Sequence, residues 1–138
     1  MQNIAIPFFG MMLLTLIVWL MMYAKRLRWI FGNSIDATAI NTPEKMAALS
    51  PENVANSSNN LKNLFELPIL FYACCLYIMH NGLTDIFYIY CAYGFLLFRC
   101  LHSIVQCTSN AISLRFPLYI IASLFLWCMV ISLSIRLV

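Results

Sequence analysis

The sequence predicts an all-α protein built into a membrane, a single domain of four spanning helices. Three observations carry that reading. Of 138 residues, 63% are hydrophobic and only 9% are charged, against about 45–50% and about 25% in soluble domains. The mean hydropathy is +0.85. The apolar residues fall into four long runs separated by short polar stretches, and each run reaches the roughly 20 residues a spanning helix needs. A water-soluble globule is excluded as the default, and so is intrinsic disorder, which needs low hydrophobicity and high charge.

The first span is read over residues 4–24. It carries no charge until Lys25, Arg26 and Arg28, and Trp29 beside them suits the aromatic belt of a membrane interface. It is too long for a signal-peptide core, lacks a basic leader and meets basic residues instead of a cleavage site, so it is read as a retained helix. Residues 25–59 form the one long polar loop. Thr42-Pro43-Glu44 and Ser50-Pro51-Glu52 each offer a hydroxyl cap, a proline at the first helical position and an acid in the first turn. They predict one or two short helical turns on the membrane surface.

The second span is read over 60–80. Asn81-Gly82 is a turn signal, and Thr84-Asp85 reads as the cap of the third span, 85–106. The short connection makes these two antiparallel neighbours. A second loop contains Thr108-Ser109-Asn110, and the fourth span runs over 115–135 with Arg136 at its far end. No G-x-x-x-G dimer motif occurs.

All Lys and Arg except Arg136 flank the first polar loop or the loop between spans three and four. The positive-inside rule therefore puts both loops in the cytoplasm and both termini on the other side. The net charge of +3 is too dispersed for a nucleic-acid surface. The six cysteines (Cys74, Cys75, Cys91, Cys100, Cys107 and Cys128) form no C-x-x-C pair and lie in apolar stretches. They read as small packing residues and not as a redox or metal centre.

The informative feature is where the apolar runs break. After Glu66 the second span has 13 uncharged residues before His80, and the third has 13 before Arg99. Thirteen residues rise about 20 Å, short of the roughly 30 Å hydrocarbon core. Asn63, Glu66, Arg99 and His102 must then enter the membrane at its cytoplasmic end. Facing lipid would cost on the order of 2.5–3.5 kcal/mol per charge. The spacing Asn59-Asn63-Glu66 and Arg99-His102-Gln106 puts each set on one helix face, so the two faces are expected to meet, with Glu66 paired to Arg99. Arg26, Lys62 and Arg115 approach the same depth and leave the cluster positive, which suits an anionic ligand. The competing structural reading is a set of snorkelling anchors around an interhelical ion pair.

Arg26-Leu27-Arg28, then Lys62-Asn63-Leu64-Phe65-Glu66 with its N-x-x-E element, then Arg99-Cys100-Leu101-His102 with R-x-x-H followed by Arg115, resemble the MAPEG family. These are membrane-associated proteins in eicosanoid and glutathione metabolism. The likeness covers nearly the whole chain. It implies a homotrimer of four-helix subunits in the bacterial inner membrane or endoplasmic reticulum, with glutathione as co-substrate bound between subunits near the cytoplasmic face. It further implies that Asn63 and Glu66 hold the peptide's polar groups, and that Arg26, Lys62 and Arg99 meet its carboxylates. His102 borders the pocket, and Arg115 stabilises the thiolate that attacks a lipophilic electrophile. The activity so implied is that of a transferase or peroxidase. The alternative is a non-catalytic protein of the same fold that binds an anionic lipid or other ligand.

Overall fold

A computed structural model describes residues 4–83 and 85–136. Its elements are all helical: α1 (Ala5–Gly32), a 3-10 turn (Ala37–Ile40), α2 (Pro43–Leu49), α3 (Glu52–Leu64), α4 (Leu67–His80), α5 (Ile86–Cys107) and α6 (Ile112–Arg136). Four helical stretches are long and apolar enough to cross a membrane, with α3 and α4 together making the second.

α1 runs eight residues past the expected end at residue 24. Nothing in Lys25–Gly32 breaks a helix, and the chain turns only where Asn33 and the left-handed Ser34 (φ 49°) close the last carbonyls. Thr42 caps α2 as read from the sequence, its hydroxyl accepting from the Lys45 amide. Ser50 does not cap α3. Its hydroxyl donates back to Met46 C=O at 2.6 Å, and extended Pro51 takes the N-cap position. Thr84, expected to help cap the third span, lies outside the described residues.

The second span is broken. Phe65 and Glu66 leave helical geometry, and Glu66 sits at φ −95°, ψ −103° between α3 and α4. Pro68 is the physical cause available in the sequence, since it has no N–H to return to Leu64 C=O in a continuous helix. The break also frees Asn63 C=O, whose helical partner would have been the Leu67 amide.

The spans pack around an apolar column. Met11, Phe71, Phe95, Ala122, Leu126 and Met129 are fully buried, and Phe71 stacks on Phe95 with ring centroids 4.6 Å apart. In lipid the gain comes from close packing, because lipid tails are as apolar as these side chains. Gly94 lets α5 and α6 approach: a Cβ there would stand 2.8 Å from the Phe125 ring. Gly82 takes φ +61° in the tight turn after α4. The outward faces are apolar, with Phe9, Leu13, Leu97, Leu124 and Ile131 exposed on a single chain. At one end Arg136 bonds Asp85, the one ion pair among the described residues. Most of the buried polar side chains gather at the opposite end.

Candidate functional site at one end of the bundle

Arg99 on α5 is fully buried. Its Nη2 donates to Asn63 C=O at 2.6 Å, the carbonyl freed by the α3–α4 break. Its guanidinium lies over the Tyr119 ring of α6, 5.5 Å from the centroid. The Nε and Nη1 groups are buried with no hydrogen-bond partner. The expected Glu66–Arg99 pair does not form. Glu66 stands exposed at the break, and the carbonyl of Asn63 takes the guanidinium instead.

One turn further on, His102 is 3% exposed. Its Nδ1 lies 2.9 Å from Arg115 C=O, which only accepts, so Nδ1 carries a proton and donates. Its Nε2 lies 2.9 Å from Gln106 Oε1, and Asn63 Nδ2 donates to the same oxygen at 3.0 Å. Gln106 Oε1 accepts from both only when the ring is doubly protonated. A neutral ring accepts at Nε2 and requires the Gln106 and Asn63 amides to turn over together. The protonation of His102 is thus tied to the orientation of two amides.

Arg115 sits in the first turns of α6, half-buried, with Nη1 donating to Asn110 Oδ1 at 2.5 Å. Asn110 Nδ2 donates in turn to Asn56 Oδ1 on α3 at 3.0 Å. Behind these, Ser103 donates to Asn60 Oδ1 and Asn60 Nδ2 lies 3.2 Å from Cys107 Sγ. Lys25 Nζ donates to Cys107 C=O at 2.9 Å, supplying a cation to the C-terminal end of α5.

The sequence-derived residues other than Glu66 therefore divide into two groups across α3. Asn63, Arg99, His102 and Arg115 belong to one continuous network joining α3, α5 and α6. Arg26 and Lys62 lie instead on a cavity of about 320 Å³ between α3 and the 40–50 segment, with Ser58, Asn59, Thr42 and Met46 among its walls. Arg26 Nη2 donates to Ser58 Oγ at 3.2 Å, and its Nε is buried without a partner. Asn59 lines this cavity, and Glu66 lies beyond the end of α3, so the face expected to hold Asn59, Asn63 and Glu66 together loses Glu66.

Asn56, Asn60, Ser103, Asn110 and Tyr119 were not singled out from the sequence. For Asn110 a signal existed: asparagine just past a helix end is a common left-handed closing residue. The buried amides of α3 gave no such signal, because polar residues read as loop or solvent face. Among the described residues no group of three or more His, Cys, Asp and Glu could hold a metal ion.

Four spanning-length helices around a packed apolar core, with the polar network confined to one end, define an integral membrane protein of the helical-bundle class. The sequence model of the MAPEG family matches residues 4–135, nearly the whole chain, and the protein belongs to that family. No curated protein and no solved structure matches it.

Proposed function

We propose that this protein is a membrane-bound, glutathione-dependent transferase or peroxidase acting on lipophilic electrophiles. The observation that carries the reading is the convergence of Arg99, His102, Arg115 and Asn63 at one end of the bundle, with no carboxylate paired to either arginine among the described residues. A family founded on glutathione chemistry, and a buried positive site able to hold an anionic peptide, point the same way. Asn63 and Glu66 bind the peptide's amide and amine groups. Arg99 meets a carboxylate through the donors it has unpartnered, and Arg26 and Lys62 add carboxylate contacts from the adjoining cavity. His102 borders the peptide.

Arg115 lies by the sulfur and favours the thiolate over the thiol. The thiol proton leaves to solvent, and the thiolate attacks an electrophilic carbon whose leaving group departs with the bond electrons. With a hydroperoxide, two glutathiones supply the two electrons, giving an alcohol, water and the disulfide. The electrophile arrives from the bilayer.

We further propose a homotrimer with the polar end in the cytoplasm. Glu66 is exposed on a single chain at the edge of a span. A neighbouring subunit removes the cost of leaving that carboxylate toward lipid.

A second reading has its own support. Asn59 and Gln106 stand where many members carry arginine and tyrosine, and Gln106 already satisfies both His102 and Asn63. That closed arrangement suits a non-catalytic protein binding an anionic lipid or other ligand. Turnover separates the two. Purified protein in liposomes should conjugate glutathione to a generic aryl halide or reduce a lipid hydroperoxide, and Glu66→Gln should weaken it. No turnover of either substrate, with thermal stabilisation by anionic lipid but none by millimolar glutathione, would leave the second reading.

A further inference from the structure

The loop between α5 and α6 holds a residue whose backbone amide and both side-chain polar atoms are engaged. Asn110 takes the left-handed conformation, φ 51°, which asparagine tolerates better than most residues and glycine better still. Its backbone amide donates to Val105 C=O at 2.7 Å and closes the end of α5. Its Oδ1 accepts from Arg115, and its Nδ2 donates to Asn56. A single side chain thus ties the guanidinium of α6 to the polar face of α3.

The choice of amide matters chemically. A carboxylate at this point would hold Arg115 equally well and cancel much of its charge. The neutral oxygen fixes one N–H of the fork and leaves the positive charge unspent, and Arg115 has no carboxylate partner among the described residues. Asn110 occupies only Nη1, while a guanidinium carries five donors, so others stay free for an anion. Loop conformation, amide chemistry and the Asn56 anchor all serve one result: a held, uncompensated cation.

We propose that Asn110 is the positioning residue for Arg115, fixing the guanidinium that stabilises the glutathione thiolate without neutralising it. This rests on the reading of Arg115 given above, and the test keeps the two apart. Asn110→Gly preserves the left-handed backbone and removes the side chain. Asn110→Asp preserves the shape and adds the charge. Bound glutathione thiolate is read by ultraviolet absorbance at neutral pH, and kcat and KM for glutathione are read with an aryl halide.

Both variants should lower the thiolate signal and kcat by about tenfold, the effect of one unit in thiol pKa. KM for glutathione should change less than about threefold, since the peptide's other contacts are untouched. A purely structural Asn110, serving only the turn, would leave Asn110→Gly equal to wild type, and that result overturns the proposal. The contact itself is read without glutathione by a double-mutant cycle of Asn110→Gly and Arg115→Ala on thermal stability. Non-additive effects are expected, and additive ones overturn the coupling. Coupled residues with no thiolate in the wild-type protein would instead refute the role given to Arg115, and with it the catalytic purpose assigned to Asn110.

Discussion

Replacing Arg99 by methionine separates the cost of the site from its use. The side chain is fully buried, so the change removes a charge from the interior at similar length. Two favourable contacts are lost. The charge-assisted bond to Asn63 C=O is worth about 1.5–3 kcal/mol, and the guanidinium over Tyr119 about 0.5–2 kcal/mol. Two liabilities vanish as well. Nε and Nη1 are buried without partners, and each such donor costs about 1–3 kcal/mol. The losses and gains overlap, so Arg99→Met should stay within about 2 kcal/mol of wild type. Thermal unfolding in detergent, followed by tryptophan fluorescence, measures this. Glutathione affinity should nevertheless fall at least tenfold, because a charge-assisted carboxylate contact of about 1.5–3 kcal/mol is removed. A destabilisation above about 4 kcal/mol would refute the reasoning. It would make Arg99 a structural pin, as expected when one member of a well-compensated buried pair is deleted.

Three other outcomes follow from the packing and the loops. Gly94→Ala should destabilise by about 1–3 kcal/mol in the same assay, because the new methyl meets the Phe125 ring, itself stacked on Phe98. Asp85→Asn at the opposite end should change stability by less than about 1 kcal/mol, since the pair with Arg136 is half-exposed on both sides. In the 36–50 segment, the Thr38 amide holds the Asp36 carboxyl below its ordinary range, and the Glu44 backbone amide does the same for Glu44. A folded-state pKa below the unfolded one stabilises above the unfolded value and is lost as pH falls through the folded one. Protection factors of residues 37–49, taken relative to the intrinsic exchange rate at each pH, should therefore fall below the usual carboxylate range, while the core of α5 stays protected.

The four spans were legible because lipid demands long apolar runs, and composition alone then limits the chain to four. The extent of α3 was not legible. Its buried side includes Asn56, Ser57 and Asn60, so a rule that puts apolar residues inward reads this helix as loop. Asn56 and Asn60 meet Asn110, Ser103 and Cys107, partners that a periodicity argument does not supply. The break at Phe65–Glu66 did have a sequence signal in Pro68, and it alters the site most. It frees the Asn63 carbonyl for Arg99 and leaves Glu66 apart from the guanidinium it was expected to meet. The residue types at the polar end were readable as a charge cluster at one depth. Their division across α3 was not: the break displaces only Glu66, while Lys62 and Asn59 line a cavity because the 40–50 segment folds over that side of α3, a neighbour that spacing does not supply.

Cation placement explains why so few charges suffice. Lys25 serves the end of α5, Arg136 pins the far end, and among the described residues Arg99 and Arg115 have no carboxylate partner in the polar network. A chain selected only for stability would pair or discard such groups. Their retention is the physical argument for an anionic ligand.

The central claim is that Arg115 stabilises a glutathione thiolate in this network. It is tested most directly by titrating detergent-solubilised protein with glutathione and following thiolate absorbance near neutral pH, with Arg115→Ala alongside. The account predicts a saturable thiolate signal in the wild-type protein, lost in the variant while glutathione still binds. No thiolate in the wild-type protein, or an equal signal in both, would contradict it.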